Sequence, residues 1–226
     1  MKRFGLGLAV LCLVIASTAS AQVDGTVGKL GVGVNGGLMI PASGDFTIDS
    51  SFSDYFGVGP GFGAHLTYTP VKEFTLRGGF TYTFMKLKDE VRGDMSEEPY
   101  FSAPYAYVDG VFNLGSFIKA EKNIVNPYIL AGGGVYFWKV TDDGVNGDPI
   151  TFPYGAGTEE WKGTSFGAHF GAGVEVFVTP ALSLFAEGKY HLMITKDEDK
   201  FGDDFANLGA IDAMVGLTYH FPIAGK

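Results

Sequence analysis

Residues 182–192 read LSLFAEGKYHL, a stretch in which two kinds of side chain alternate. One set of alternate positions is Leu182, Leu184, Ala186, Gly188, Tyr190 and Leu192, and the other is Ser183, Phe185, Glu187, Lys189 and His191. Successive side chains of a β-strand point to opposite faces of a sheet. The stretch therefore predicts a strand with one apolar face and one largely charged face.

Seven further segments suggest strands. They are Leu30–Ile40, Phe62–Thr69, Phe74–Lys86, Tyr105–Leu114, Pro127–Val140, Phe166–Val178 and Ile211–Phe221. Six of them repeat the alternation, but Pro127–Val140 is apolar on both faces, so its pattern does not indicate which face points inward. Together with residues 182–192 they make about eight strands, at the low end of the range for closed transmembrane barrels. A soluble β-sandwich, which also has strands with one apolar face, is the alternative.

The connections between these segments alternate between short and long. Thr69–Lys72 and Thr179–Ala181 each hold a proline in a tight turn, whereas long polar loops are expected near residues 42–56, 88–99, 141–163 and 195–206. Short periplasmic turns and long extracellular loops are typical of outer-membrane barrels. Aromatic residues also crowd the strand ends, as in the girdles that such barrels place at the membrane interfaces. We assign to this girdle Tyr68, Phe84, Tyr136, Trp138, Tyr190, Tyr219 and Phe221. These features favour an all-β, closed antiparallel transmembrane β-barrel.

The N-terminus has the three parts of a secretory signal peptide. Lys2 and Arg3 are followed by an apolar run over Phe4–Ile15 and by the A-x-A motif of Ala19-Ser20-Ala21. This pattern predicts export, with cleavage after Ala21. We therefore expect residues 1–21 to be removed and residues 22–226 to form a single barrel domain.

Composition excludes several classes of protein. The chain carries a formal net charge of −9, which argues against nucleic-acid binding. Its 20 Phe and 11 Tyr argue against a disordered chain, and its single cysteine lies in the predicted signal peptide, so disulfides cannot stabilise the mature protein. A closed hydrogen-bonded barrel would supply stability in another way.

Three glycine-rich and aromatic segments carry a resemblance to a known group. They read PYILAGGGVY at 127–136, GAGVEV at 171–176 followed by Thr179-Pro180, and GLTYHF at 216–221. The chain resembles the small eight-stranded outer-membrane barrels of Gram-negative bacteria, which include the OmpA-type membrane domain, the OmpW-type proteins and the porin-family opacity group. The resemblance implies a monomer in the outer membrane that contacts lipid and lipopolysaccharide and is inserted by the barrel assembly machinery. It also implies an assembly signal at Tyr219 and Phe221, although Pro222–Lys226 follow here.

The polar faces of the predicted strands carry a set of charged and polar side chains. They are Asn35, His65, Arg77, Asp109, His169, Glu175, Glu187, Lys189, His191, Asp212 and His220. If the apolar faces meet lipid, these side chains point into the barrel. Because an eight-stranded barrel is just wide enough for side chains to fill, we expect a network of ion pairs and hydrogen bonds. A narrow water-filled passage or a small-ligand cavity is the alternative.

These features suggest a structural or surface-interaction role. The alternative is a narrow pore, or an OmpW-like conduit for small molecules, which an apolar lumen mouth would favour and which Phe177, Phe185 and Met214 leave possible. A lipid-modifying enzyme is less favoured, because the sequence shows no nucleophile–histidine–acid grouping, and we assign no catalytic residue, cofactor or metal centre. His169 and Glu175, for example, share a face but are six residues apart, too far for a hydrogen bond along one strand.

The predicted loops are acidic. Their carboxylates are Asp142, Asp143, Asp148, Glu159, Glu160, Asp197, Glu198, Asp199, Asp203 and Asp204. Such groups could collect Ca²⁺ or Mg²⁺, although charge blocks of this kind are usually solvated surface. The tripeptide Arg92-Gly93-Asp94 is interpreted as an ordinary turn with glycine at its tip.

Overall fold

The computed structural model describes residues 23–47, 50–93, 96–118, 124–154, 157–195 and 206–222. The predicted signal peptide and its cleavage residues Ala19 and Ala21 lie outside these ranges. So do the loop carboxylates between residues 196 and 205.

Eight long strands form the wall of the molecule. They are β1 (Lys29–Thr47), β2 (Gly59–Val71), β3 (Phe74–Lys86), β4 (Tyr105–Asn113), β5 (Val125–Thr141), β6 (Lys162–Thr179), β7 (Leu182–Ile194) and β8 (Ala206–Pro222). Each pairs antiparallel with the next along the chain, and β8 pairs with β1. The ring is therefore closed, and the predicted antiparallel barrel of eight strands is confirmed.

The two ends of the barrel differ as the loop lengths predict. At the short-turn end, Lys72–Glu73 joins β2 to β3, Pro180–Ala181 joins β6 to β7, and a 3-10 helix at Leu114–Phe117 follows β4. At the long-loop end, β1 continues to Thr47, beyond the predicted start of its loop.

Several short elements occupy the long loops. Helices α1 (Phe52–Tyr55) and α2 (Asp89–Arg92) follow β1 and β3, and strand Ser50–Ser51 pairs with β1. Strands Thr151–Tyr154 and Gly157–Glu160 form a hairpin, and Tyr100–Ser102 lies between β3 and β5. The long loops thus carry ordered structure that the hydrophobic pattern does not predict.

The wall has its apolar face outside. Outward positions carry exposed residues such as Phe62, Leu66, Phe170 and Val215, and Phe166 is 71% exposed. Inward positions carry most of the buried charged side chains. This inverted arrangement is what a protein surrounded by hydrocarbon requires. No helix in the described ranges is long and apolar enough to cross a bilayer.

The structure assigns the orientation of β5. Ile129 and Phe137 point outward, whereas Tyr128, Leu130, Tyr136 and Trp138 are buried inside. The assignment of Tyr136 and Trp138 to the interfacial girdle was therefore wrong, since each is 1% exposed. Both have the inward parity of β5, which the apolar character of its two faces concealed.

An aromatic cap closes the barrel at the long-loop end. We define it as Phe46, Phe52, Phe56, Phe101, Trp138 and Trp161, whose rings pack on one another. The rings of Phe46 and Trp161 stack with their centroids 4.9 Å apart, and Phe52 meets Phe101 at 4.8 Å. Such pairs add about 0.5–1.5 kcal/mol each beyond the burial of their area.

Helix α1 carries Phe52 into this cap. The Ser51 hydroxyl and amide both donate to Asp54 Oδ2, at 2.8 and 2.9 Å. These two hydrogen bonds, the hydroxyl's first, lower the pKa of Asp54. The carboxylate therefore stays ionised and holds the entry to this one-turn helix.

The closing strand provides a test of the predicted assembly signal. Phe221 lies opposite Leu30 in the β8–β1 ladder, next to the last residue of β8. We expect Phe221→Ala to slow insertion into vesicles containing purified barrel assembly machinery, followed by the appearance of the heat-modifiable folded band on gels. Val215→Ala, an outward change on the same strand, is the control. Equal rates for both variants and the unmodified chain would place the signal elsewhere.

Candidate functional site: the charged interior

One row of the barrel brings four polar side chains together around a glycine. Across the ladders, Arg77 lies opposite Asp109, Asp109 opposite Gly132, Gly132 opposite His169, and His169 opposite His191. All five positions face the interior. The alternation along each strand places these residues on the inner face, and the register between neighbouring strands places them side by side.

Asp109 is the acceptor at the centre of this row. Arg77 donates to Asp109 Oδ2 from Nη2 at 2.7 Å and from Nε at 3.0 Å, and His169 Nε2 donates to Oδ1. The last contact crosses strand β5 at Gly132. A Cβ at Gly132 would collide with the Val108 carbonyl oxygen, Asp109 Oδ1 and His169 Nε2. The absence of a side chain there allows the two flanking strands to touch.

Arg77 also bridges the interior. Its Nη1 donates to Glu187 Oε2 at 2.7 Å, and the Tyr128 hydroxyl donates to the same oxygen at 2.8 Å. Strands β3 and β7 lie four places apart in a ring of eight, so Arg77 and Glu187 come from opposite walls. This ion pair spans the bore.

A second bridge crosses between β4 and β8. The Tyr105 hydroxyl donates to Asp212 Oδ2 at 3.0 Å, and these two strands are also four places apart. Asp212 further accepts from His191 Nε2 at 2.8 Å and from the Lys189 amide at 3.1 Å. Tyr136 completes the group, since its hydroxyl lies 2.7 Å from His191 Nδ1.

Lys189 sits between the two bridges. Its Nζ is 3.6 Å from Glu187 Oε1, 3.5 Å from Asp212 Oδ2 and 4.5 Å from the centre of the Tyr107 ring. The ammonium is therefore held by two carboxylates and a cation–π contact rather than by a close hydrogen bond within the described residues.

Burial makes this network interdependent. Arg77 is 5% exposed and Asp109 and Asp212 are 0% exposed. A buried charge is tolerated when it is paired and hydrogen-bonded, and removal of one partner leaves an uncompensated charge. The carboxylates of Asp109, Glu187 and Asp212 each have at least two donors, so the charged acceptors at the centre of the bore are satisfied.

A polar cavity lies below this network, at the short-turn end. It has a volume of about 40 Å³, and its lining includes His65, Arg77, Asn126, Glu175 and His220. His65 Nε2 lies 3.0 Å from the Thr218 hydroxyl. Arg77 belongs both to the lining of this cavity and to the network above it, and we call this half of the interior the recess.

The recess contains a grouping that the sequence did not suggest. Ser183 Oγ donates to Glu175 Oε1 at 2.6 Å and lies 3.0 Å from His220 Nε2, which is 3.6 Å from the same Glu175 oxygen. The expectation that no serine–histidine–acid grouping exists was wrong. The alternation along one strand cannot reveal it, because the three residues come from three neighbouring strands.

The arrangement of this grouping is unsuited to nucleophilic activation. In a catalytic relay, the serine and the acid bind opposite nitrogens of the histidine. Here Ser183 and Glu175 face the same nitrogen, and the serine proton is already directed to the carboxylate. Ser183 is also completely buried. The grouping is a hydrogen-bond chain that satisfies a partly buried carboxylate.

Asn35 is buried but is not joined to the network. Its Oδ1 has no hydrogen-bond partner among the described residues, and the same is true of His65 Nδ1 and Thr81 Oγ1. The structure thus places all eleven of the sequence-derived positions inside the barrel, but it links them in two separate layers and leaves Asn35 apart.

Four tyrosines that were not predicted as interior residues complete the network. Tyr105 and Tyr107 have the same parity as Asp109 in β4, so the alternation could have revealed them. Tyr128 and Tyr136 were hidden by the two apolar faces of β5. The hydroxyls of Tyr128 and Tyr136 supply hydrogen-bond donors without adding positive charge to the interior.

The acidic loops show no metal centre in the part of the chain that the structure describes. There, no group of three or more His, Cys, Asp or Glu side chains is arranged to hold an ion. Asp142 Oδ1 accepts from the Asp143 amide, and Asp143 Oδ1 accepts from the Glu98 amide at 2.9 Å. Arg92 pairs with Asp89 and Glu98, so the arginine of the Arg-Gly-Asp tripeptide is already engaged.

Comparison with known proteins agrees with this architecture. The sequence pattern described as "Outer membrane protein beta-barrel domain" matches residues 8–221. Neisserial surface protein A is 16% identical with a TM-score of 0.55, over 85% of this chain and 97% of that one. The outer membrane protein AlkL is 12% identical with a TM-score of 0.50, over 89% and 93%. The attachment invasion locus protein Ail of Yersinia pestis is 16% identical with a TM-score of 0.49, over 86% and 99%. None of the curated proteins compared with the chain matches it significantly.

The bridge across the bore predicts a large effect on stability. Glu187→Gln removes the charge that faces Arg77 and Lys189, and we expect it to lower the free energy of unfolding by about 3–5 kcal/mol, as for other broken buried pairs. Glu187→Lys should cost at least as much. The measurement is urea unfolding of the refolded barrel in vesicles.

Glu73→Gln is the matched control for this measurement. Glu73 forms a surface pair with Lys72 at 3.8 Å, and the loss of such a pair should cost at most about 1 kcal/mol. If Glu187→Gln unfolds at the same urea concentration as Glu73→Gln, the interior does not depend on the paired network.

Proposed function

The chain belongs to the outer membrane protein β-barrel domain family, and on this premise we propose that it is a closed, non-conducting barrel with a structural and surface-interaction role. It lies in the outer membrane of a Gram-negative bacterium. Its wall spans the bilayer, and its ordered loops form the surface presented outside the cell.

The observation that carries the proposal is the pair of bridges across the bore. Arg77–Glu187 and Tyr105–Asp212 each join opposite walls, at 2.7 and 3.0 Å. An eight-stranded barrel has little room beyond its own side chains. Two such contacts at one level, with Lys189 between them, leave little space for a hydrated ion to pass.

The aromatic cap at the long-loop end also supports a closed barrel. An OmpW-like conduit needs an apolar mouth that admits its cargo. Here the mouth is filled by the packed rings of Phe46, Phe52 and Trp161. Of the residues considered for such a mouth, Phe185 lines the polar recess instead. Phe177 contacts His220 at that end, so neither belongs to the long-loop mouth.

The loops are then the part of the molecule available to partners. The hairpin Thr151–Glu160 and helix α2 stand at the long-loop end, and their carboxylates give this surface an acidic character. We propose that this surface meets cationic groups of other molecules or divalent cations. The barrel below holds it rigidly at the membrane.

Conductance in a planar bilayer tests the proposal. We expect the refolded mature chain to insert without steady conductance, because both bridges must break to admit an ion. A 16-stranded porin, whose lumen is an aqueous channel, is the positive control for detection. Gel mobility of the recovered protein confirms that the silent barrel is folded.

Steady conductance through the bore would contradict the proposal. Steady conductance that changes when Arg77 or Glu187 is replaced by alanine would mean that the bore is open and that these residues line it. The role would then be transport, and the structural proposal would fail.

A further inference from the structure

The outer face of the barrel carries three lysines at its long-loop end, and two of them pair with glutamates, Lys86 with Glu98 and Lys162 with Glu160. On β3, β5 and β6, the charged residues at outward positions are Lys86, Lys139 and Lys162, and the rest are apolar or uncharged. All three lie at the long-loop end. This sign is notable in a chain with a net charge of −9.

Two of these lysines lie directly opposite each other. Lys139 and Lys162 are partners in the β5–β6 ladder. Side chains in such positions have Cβ atoms about 4.5–5.5 Å apart, and like charges there are destabilising. An anion between the two ammonium groups would relieve this repulsion.

Each of the two ammonium groups has a partner within the protein. Lys139 Nζ donates to the Gly147 carbonyl at 3.2 Å, and Lys162 pairs with Glu160. Each ammonium has three N–H donors, so the contacts within the described residues leave donors on both for a ligand. Lys162 is 56% exposed, which makes its ammonium accessible.

A groove beside the lysines gives the ligand a second point of contact. It has a volume of about 600 Å³, and Tyr82, Pro104, Phe137 and Lys139 are among its lining residues. It forms where β4 gives way to the strand Tyr100–Ser102, with Pro104 at the junction accepting from the Phe137 amide. Below the groove, the wall continues with exposed apolar side chains such as Phe166.

We propose that Lys139 and Lys162 bind a phosphate group of an outer-leaflet glycolipid of the lipid A type. The lysines stand at the height of the head groups, the groove takes the sugar ring, and the apolar wall takes the acyl chains. Charge complementarity selects this occupant, because a paired cationic site above an apolar wall fits a phosphorylated amphiphile. The assignment rests on the outer-membrane location and on the loops facing outward, not on whether the bore conducts.

The test titrates refolded mature protein in a neutral detergent with bis-phosphorylated lipid A, and native mass spectrometry counts the bound lipid. We expect Lys139→Gln or Lys162→Gln to weaken binding about fivefold and the double variant about thirtyfold, from the usual contribution of a lysine near a charged lipid surface. Lys139→Arg with Lys162→Arg should retain binding. Lys72→Gln, at the short-turn end, is the matched control and should bind like the unmodified protein.

Two further probes identify the source of the phosphate. Dephosphorylated lipid A should bind the unmodified protein no more tightly than bis-phosphorylated lipid A binds the double variant. Inorganic phosphate at the same concentration should leave the melting temperature unchanged, and a shift equal to that caused by lipid A would overturn the assignment to a lipid.

The result that would overturn the site itself is equal binding of bis-phosphorylated lipid A by the unmodified protein and the double variant. The lysines would then simply extend to the aqueous interface. Because both side chains are outside the interior network, the heat-modifiable band should show that every variant is folded. A silent barrel in the conductance experiment leaves this test unaffected.

Discussion

The interior depends on one guanidinium. Arg77 pairs with Asp109 on the adjacent strand and with Glu187 on the opposite wall. Its five donors have a fixed planar geometry, which suits two carboxylates at once better than a lysine would. Asp109 then orients His169, while Glu187 orients Tyr128 and attracts Lys189. One of the two bridges across the bore thus extends from this single side chain, and Lys189 connects it to the Tyr105–Asp212 bridge.

Glycines make these contacts possible between strands that are not neighbours. Gly132 lies between Asp109 and His169, and Gly173 lies between Tyr128 and Glu187. In each case an inward position without a side chain lets the residues on either side meet. The glycine-rich composition therefore shapes the interior as well as the curvature of the wall.

The wall was predictable because its signal is local. The bounds of β3 were predicted as they are found, and β7 extends the predicted strand by two residues. The sequence shows which side chains point into the barrel, but it does not show which of them contact one another. Arg77–Glu187 joins strands four places apart, and no pattern along one strand contains that relation. The Ser183–His220–Glu175 grouping was missed for the same reason, whereas the tyrosines of β5 were hidden by the apolar character of both faces of that strand.

The partners across the bore are remote in sequence, which bears on how the barrel assembles. Arg77 and Glu187 are separated by 110 residues, and β8 must pair with β1 before the ring exists. A half-inserted sheet would hold the charges of Arg77 and Glu187 unpaired and close to hydrocarbon, at a high free energy. A slip of one residue in any strand would turn its charged face towards the lipid. The buried charges therefore raise the free energy of incomplete or misregistered barrels. They are paired only in the register that closes the ring, so they favour that register over the alternatives.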